Sequence, residues 1–185
     1  MLKQKYKIGI SGHRDLKKSE ISQYKKKIEN ILRDKIEQYD NMEVYVLTPL
    51  AQGADQLVAK VAQELGLRYE VLLPMPVELY KKDFSQKGYE VFYELYINAV
   101  GSTVTPLPLG TDMEEILDYG VKRDKQYLKV GQEVVDKSDF MIFLWDRVVN
   151  HKVGGTADIF DYAKNKYADK FNQKSFVIEC ERENR

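Results

Sequence analysis

The segment YKIGISGHRD, Tyr6 to Asp15, is where the reading of the fold begins. Tyr6 to Ser11 is short, apolar and rich in β-formers, and it runs straight into the turn-forming Gly12, so it reads as a strand that delivers the chain into a loop. From Ser19 onward, Ile21, Tyr24, Ile28, Ile31, Leu32, Ile36 and Tyr39 fall at three- or four-residue spacing, the stripe of an amphipathic helix. The pattern recurs. Val44 to Leu47 predicts a second strand, followed by the turn PLAQGAD and a helical stripe of Ala54, Leu57, Val58, Val61, Ala62 and Leu65 closed by Gly66. Tyr69 to Leu73 is a third strand and Glu90 to Val100 a helix. Thr103 to Leu107 is a weak strand that Pro106 confines to an edge, since proline cannot donate to a ladder. A helix over Glu114 to Lys137, broken near Gly120, precedes FMIFLW, Phe140 to Trp145, the most hydrophobic strand and therefore a central one. Ala157 to Tyr167 completes the helices and Phe176 to Glu179 the strands. Strands alternating with helices require crossover connections, and continuous apolar strands require a sheet covered on both faces. The expected fold is α/β, a three-layer Rossmann-like sandwich with a mostly parallel central sheet.

Composition narrows the function. With 185 residues, 43% apolar and 31% charged, the chain is expected to fold as one domain, residues 1–185, rather than to be disordered. One cysteine, Cys180, can form neither an internal bridge nor a clustered zinc site. No apolar run reaches signal-peptide or membrane-span length, so a cytoplasmic location and no membrane partner are expected. Twenty-nine basic residues balance twenty-nine acidic ones, which leaves no general positive field and makes nucleic acid an unlikely partner by this criterion. The first 35 residues carry eleven basic against four acidic residues, an excess that a solvated helix face explains.

In a sheet of this type ligands bind outside the carboxyl ends of the strands, near the point where strand order reverses. Three glycine-bearing segments fall at such ends: Ser11-Gly12-His13-Arg14, Gln52-Gly53-Ala54-Asp55 and Gly154-Gly155-Thr156. Glycine lets backbone N–H groups approach a ligand, and a following helix start favours negative charge, so a phosphate is the natural guest. Each segment alone is also an ordinary strand-to-helix turn; their common position is the signal. Arg14 could clasp a phosphate, and Asp83 and Asp146 are carboxylates near strand ends that could hold ribose hydroxyls or cap helices. His13 has no partner that sequence can identify, and His151, in the polar RVVNHKV loop, is expected to face solvent. Neither G-x-G-x-x-G after the first strand nor G-x-x-x-x-G-K-[ST] is present, so ordinary dinucleotide dehydrogenases and P-loop NTPases are not indicated. No metal site and no cofactor are expected.

Taken together, GISGHRDL (Gly9 to Leu16), TPLAQGADQLVAKVA (Thr48 to Ala62), LPMP with Tyr80 and Asp83-Phe84, VVDKSDFMIFLWD (Val134 to Asp146) and GGTADIFDYA (Gly154 to Ala163) resemble the SLOG superfamily. That superfamily joins the LONELY GUY proteins and the Smf/DprA DNA-processing proteins. The resemblance covers essentially the whole chain and implies a nucleotide or nucleotide-derived ligand, held around Ser11, Gly12, Arg14, Gly53, Asp55, Gly154, Gly155 and Thr156. A homodimer is implied by the LONELY GUY side. That side also implies an N-glycosidic phosphoribohydrolase or ribosyl transferase, whose glutamate would follow Thr156 by three. The residue there is Ile159, which leaves Arg123 and the off-register Asp158 as the candidate catalytic residues. The leading expectation is therefore a nucleotide-binding module of sensor type. The enzyme is the first alternative and Smf/DprA-like single-stranded DNA binding the second.

Overall fold

A computed structural model describes residues 3–149 and 153–184. Six strands form one sheet in the order β4-β3-β2-β1-β5-β6: β1 (Lys5–Gly12), β2 (Glu43–Thr48), β3 (Arg68–Leu73), β4 (Gly101–Val104), β5 (Phe140–Trp145) and β6 (Ser175–Glu179). All five neighbouring pairs are parallel, with Ile8 opposite Val46 on one side of β1 and Ile10 opposite Ile142 on the other. The expected mostly parallel Rossmann-like sandwich is the architecture found.

Helices cover both faces. On one, α1 (Ile21–Gln38), α2 (Ala54–Glu64) and α4 (Gln86–Asn98) pack on Ile8, Ile10, Val46, Val71, Ile142 and Leu144. On the other, α5 (Val121–Lys137) and α6 (Thr156–Tyr167) pack on Leu47, Leu72, Met141 and Phe143. Alternate residues of β5 thus serve opposite cores, and every residue of that strand is buried. In α1 the buried stripe is Tyr24, Ile28 and Leu32, a four-residue repeat along one face.

Several boundaries move from where the sequence sets them. The weak edge strand ends at Val104, before Pro106, and is exposed along its length. Helix α4 begins at Gln86 rather than Glu90 because the Ser85 side chain caps it, accepting from the Gly88 N–H at 3.1 Å. The interruption near Gly120 is real: a 3₁₀ turn, Met113–Ile116, capped by Asp112 and Glu115, is followed by α5 starting after Gly120. Two four-residue helices, α3 (Val77–Tyr80) and α7 (Phe171–Lys174), were not foreseen; neither is long enough to show a period. Among the described residues no helix is long and apolar enough to cross a membrane.

The chain steps outward from β1 to β4, then returns across the sheet through α5 to lay β5 on the other side of β1. Strand order reverses between β1 and β5. Loops leaving these two strands at their carboxyl ends part to opposite faces and open a cleft, where sheets of this kind bind ligands.

Candidate functional site

The cleft has a volume of about 290 Å³, and its wall brings together residues from six separate stretches of chain. Ser11, Gly12, His13 and Arg14 arrive from the end of β1, Asp55 from the start of α2, and Gly154, Gly155 and Thr156 from the start of α6. Asp83 and Arg123 complete the anticipated residues that line it. Gly53, Ala54, Asp146 and Asp158 do not line it, and Asp146 faces a separate hollow beside Tyr24 and Cys180.

Gly53 is a turn of necessity. Its φ of +90° is a conformation that a side chain strains, and a Cβ there would lie 2.5 Å from the carbonyl oxygens of His13 and Arg14. The absence of a side chain lets the two loops touch, and the Ala54 N–H donates to the His13 carbonyl at 3.0 Å. Gln56 N–H donates to the Ala51 carbonyl, so the start of α2 is largely closed by the protein itself. At the start of α6 no side chain caps Gly155. Gly154 has φ +78°, and the Asp158 carboxylate reaches back to accept its N–H at 2.9 Å. Asp158 is thereby committed to forming the turn. Helix α6 presents the amide end of its dipole to the cleft, beside Arg14.

His13 acquires the partner that sequence could not supply. Its Nε2 lies 2.9 Å from Asp146 Oδ1, across 133 residues of chain, and the two loops that flank the strand-order reversal are tied by that contact. His151 lies outside the described residues.

Arg14 reaches over the Tyr127 ring, 5.0 Å from its centroid, and donates weakly to the Asp83 carbonyl at 3.4 Å. Among the described residues no carboxylate is bonded to it, although the Asp83 charge lies within its electrostatic reach. Arg123 is different. Its side chain and that of Asp83 are each 2% exposed and form an ion pair, and the guanidinium also donates to the carbonyls of Ile116 and Leu79. Tyr127 donates its hydroxyl to the same Asp83 carboxylate. A residue anticipated as catalytic is therefore mostly spent on clasping α5 to the segment after α3. Its Nε is nonetheless buried without a partner among the described residues.

Tyr119 and Tyr127 were missed, and Tyr80 entered the sequence reading only among the motifs of the resemblance, not as a site residue. Tyr80, Tyr119 and Tyr127 line the cleft, Tyr80 fully buried and Tyr119 75% exposed at the rim, its hydroxyl donating to the Lys82 carbonyl at 2.8 Å. No local motif marks a tyrosine as a cleft wall. Asp55, by contrast, sits in a recognisable glycine turn. Burial pushes its carboxyl up to about 7, against the Ala51 N–H bond at 3.2 Å and the Arg14 charge, which both favour ionisation. Cys180 is buried and its thiol is likewise pushed up by burial, to about 12, so it is inert. Among the described residues no group of three or more His, Cys, Asp or Glu side chains is arranged to hold a metal ion.

No family model matches the chain, and no curated protein matches it. Solved structures do. The chain is similar to DNA processing protein A from Helicobacter pylori, whose structure was reported for a unique single-stranded DNA binding mode. That likeness has a TM-score of 0.57 and 16% identity, over 97% of this chain and 67% of that one. It is also similar to DNA processing protein A (DprA) from Streptococcus pneumoniae, at a TM-score of 0.53 and 11% identity, over 94% of this chain and 58% of that one. The fold is DprA-like and Rossmann-type. The chain thus spans only part of the length of either neighbour. The likeness corrects one expectation drawn from composition, that nucleic acid is an unlikely partner. One neighbour sharing the fold is a single-stranded DNA binder by its own report, so a net charge of zero does not exclude such a ligand. Charge averaged over the chain says little about charge within one cleft, where, among the described residues, Arg14 has no bonded carboxylate.

Proposed function

We propose that the cleft binds one nucleotide unit, its phosphate against the start of α6 and Arg14 and its sugar and base along the wall of Tyr80, Tyr127 and Tyr119. The observation that carries this reading is convergence: two glycine turns, a helix start without a side-chain cap and a guanidinium that, among the described residues, has no bonded carboxylate meet at the reversal of strand order. A cavity of about 290 Å³ suits a single unit. The motif resemblance to the SLOG superfamily, in both its LONELY GUY and Smf/DprA branches, points to the same chemistry.

Two sources can present such a unit, a free mononucleotide or a single strand. The second is favoured by the DprA-like fold and by an open rim on which Tyr119 offers an exposed aromatic face for stacking. Cleavage of the N-glycosidic bond finds less support. It needs a carboxylate set against the sugar. At the position that the LONELY GUY resemblance assigns to it, the cleft is lined by the aliphatic side chain of Ile159, and Asp158 is engaged with Gly154.

The test is a thermal-shift titration with mononucleotides, nucleosides and 5′-phosphorylated deoxyoligonucleotides at several salt concentrations. A ligand at 100 times its Kd adds about 2.7 kcal/mol, a rise of roughly 5 to 10 °C in a domain of this size. Stabilisation by mononucleotides with shallow salt dependence identifies the free unit. Stabilisation by oligonucleotides alone, with affinity falling as the log of salt by about 0.7 per phosphate contact, identifies the strand. No shift with any phosphorylated ligand refutes the reading.

A further inference from the structure

Deep in the cleft wall stands a phenol with nothing to bond. Tyr80 is 0% exposed, and its hydroxyl has no hydrogen-bond partner among the described residues. A buried polar group without a partner is costly, and native structures keep few of them without a use. The ring is fixed from behind: Phe84 and Phe92 meet it edge-on, with centroids 4.8 and 5.6 Å away. The hydroxyl end falls within the electrostatic reach of Arg14, Tyr127, Asp55 and Asp83, every one of them a residue of the cleft wall. The ring is part of the core, and the residue also lines the cleft.

Asp55 lines the same cleft. It too is buried, and its carboxyl accepts from the Ala51 N–H at 3.2 Å. The two residues offer an O–H donor and a carboxyl acceptor on one cleft wall, both within reach of the Arg14 charge. A neutral guest adds no charge to this buried pair. A hydroxyl has the right complement, since it can accept from Tyr80 while donating to Asp55.

We propose that Tyr80 and Asp55 form a subsite that reads a sugar hydroxyl of the bound nucleotide. The assignment rests on the nucleotide reading above and adds to it the part of the ligand recognised. It requires that the cleft distinguish nucleotides by their sugar, and it applies to a unit with a free sugar hydroxyl: a free nucleotide, a unit of RNA or the 3′ end of a DNA strand.

A double cycle of protein and ligand tests it. Adenosine 5′-monophosphate and its 2′-deoxy, 3′-deoxy and 2′,3′-dideoxy forms are titrated by calorimetry into the wild type and into Tyr80→Phe. That substitution removes only an unpartnered hydroxyl, so the variant should melt at the same temperature as the wild type or higher, which separates binding effects from misfolding. The wild type should bind the dideoxy form about tenfold more weakly than the parent, one or the other monodeoxy form sharing the loss, the scale of a buried hydrogen bond left unmade. Tyr80→Phe should bind the parent about tenfold more weakly and the dideoxy form unchanged. Equal affinity of the wild type for parent and dideoxy forms overturns the subsite while leaving nucleotide binding intact. An equal loss for both ligands in Tyr80→Phe overturns it as well. If no nucleotide binds the wild type, the nucleotide reading itself has failed, and the subsite with it.

Discussion

Asp55 occupies the first turn of α2, where a carboxylate would ordinarily be welcome, yet burial at the cleft raises its carboxyl to about 7. The consequence for stability has a definite sign. The unfolded chain releases this proton near pH 4 and the folded chain near pH 7, so between those values the folded state holds more protons. Stability from this group therefore falls as pH rises from about 4 to 7 and levels off above. Asp55→Asn keeps an acceptor for the Ala51 N–H and removes the ionisation. It should be more stable than the wild type at pH 8, by an amount on the order of 2 to 4 kcal/mol, and equal to it near pH 4. Urea denaturation across that range reads the difference, and parallel curves for the two proteins would show that Asp55 is not held neutral. Local sequence pointed to Asp55, Arg14 and the Gly154–Thr156 turn, which the fold brings to one cleft, because a turn chemistry is written in adjacent residues. It could not identify the Tyr80 hydroxyl or the His13–Asp146 contact, because a missing partner and a partner 133 residues away are properties of the assembled fold.

Arg123 shows what the elements do for the cleft. From the first turn of α5 it binds the Leu79 carbonyl of α3, the Asp83 carboxylate beyond it and the Ile116 carbonyl of the 3₁₀ turn. Tyr80, Asp83, Tyr119, Arg123 and Tyr127 of these segments line the cleft. Removing one member of a buried ion pair leaves the other charged and unpaired, which typically costs about 3 to 5 kcal/mol. Arg123→Met should lower the unfolding free energy by about that amount and loosen the wall. A loss below 1 kcal/mol in equilibrium denaturation would mean that the pair does not clasp these elements. The long elements were legible because α1, α2, α5 and α6 each repeat an apolar stripe and the strands are apolar runs bounded by turns. The clasp was not legible, since α3 is one turn long and the segment from Pro106 to Gly120 bears no period.

At the scale of the whole molecule, the alternation of strands and helices predicted a parallel sheet, and the reversal of strand order between β1 and β5 fixes where a ligand can enter. Composition misled at this same scale, because zero net charge is an average and the cleft is a place. On the proposed reading the nucleotide unit is either free or part of a strand, and the tyrosine wall and small cavity suit one unit at a time. Both sources require a phosphate at Arg14. The most direct measurement is a calorimetric titration comparing Arg14→Ala with the wild type, using whichever phosphorylated ligand stabilises the wild type most and its unphosphorylated counterpart. Loss of the guanidinium should weaken the phosphorylated ligand by about 1.5 to 3 kcal/mol, the scale of a hydrogen bond to a charged group, and leave the unphosphorylated one unchanged. Equal affinities of the two proteins for the phosphorylated ligand would contradict a phosphate site at this cleft.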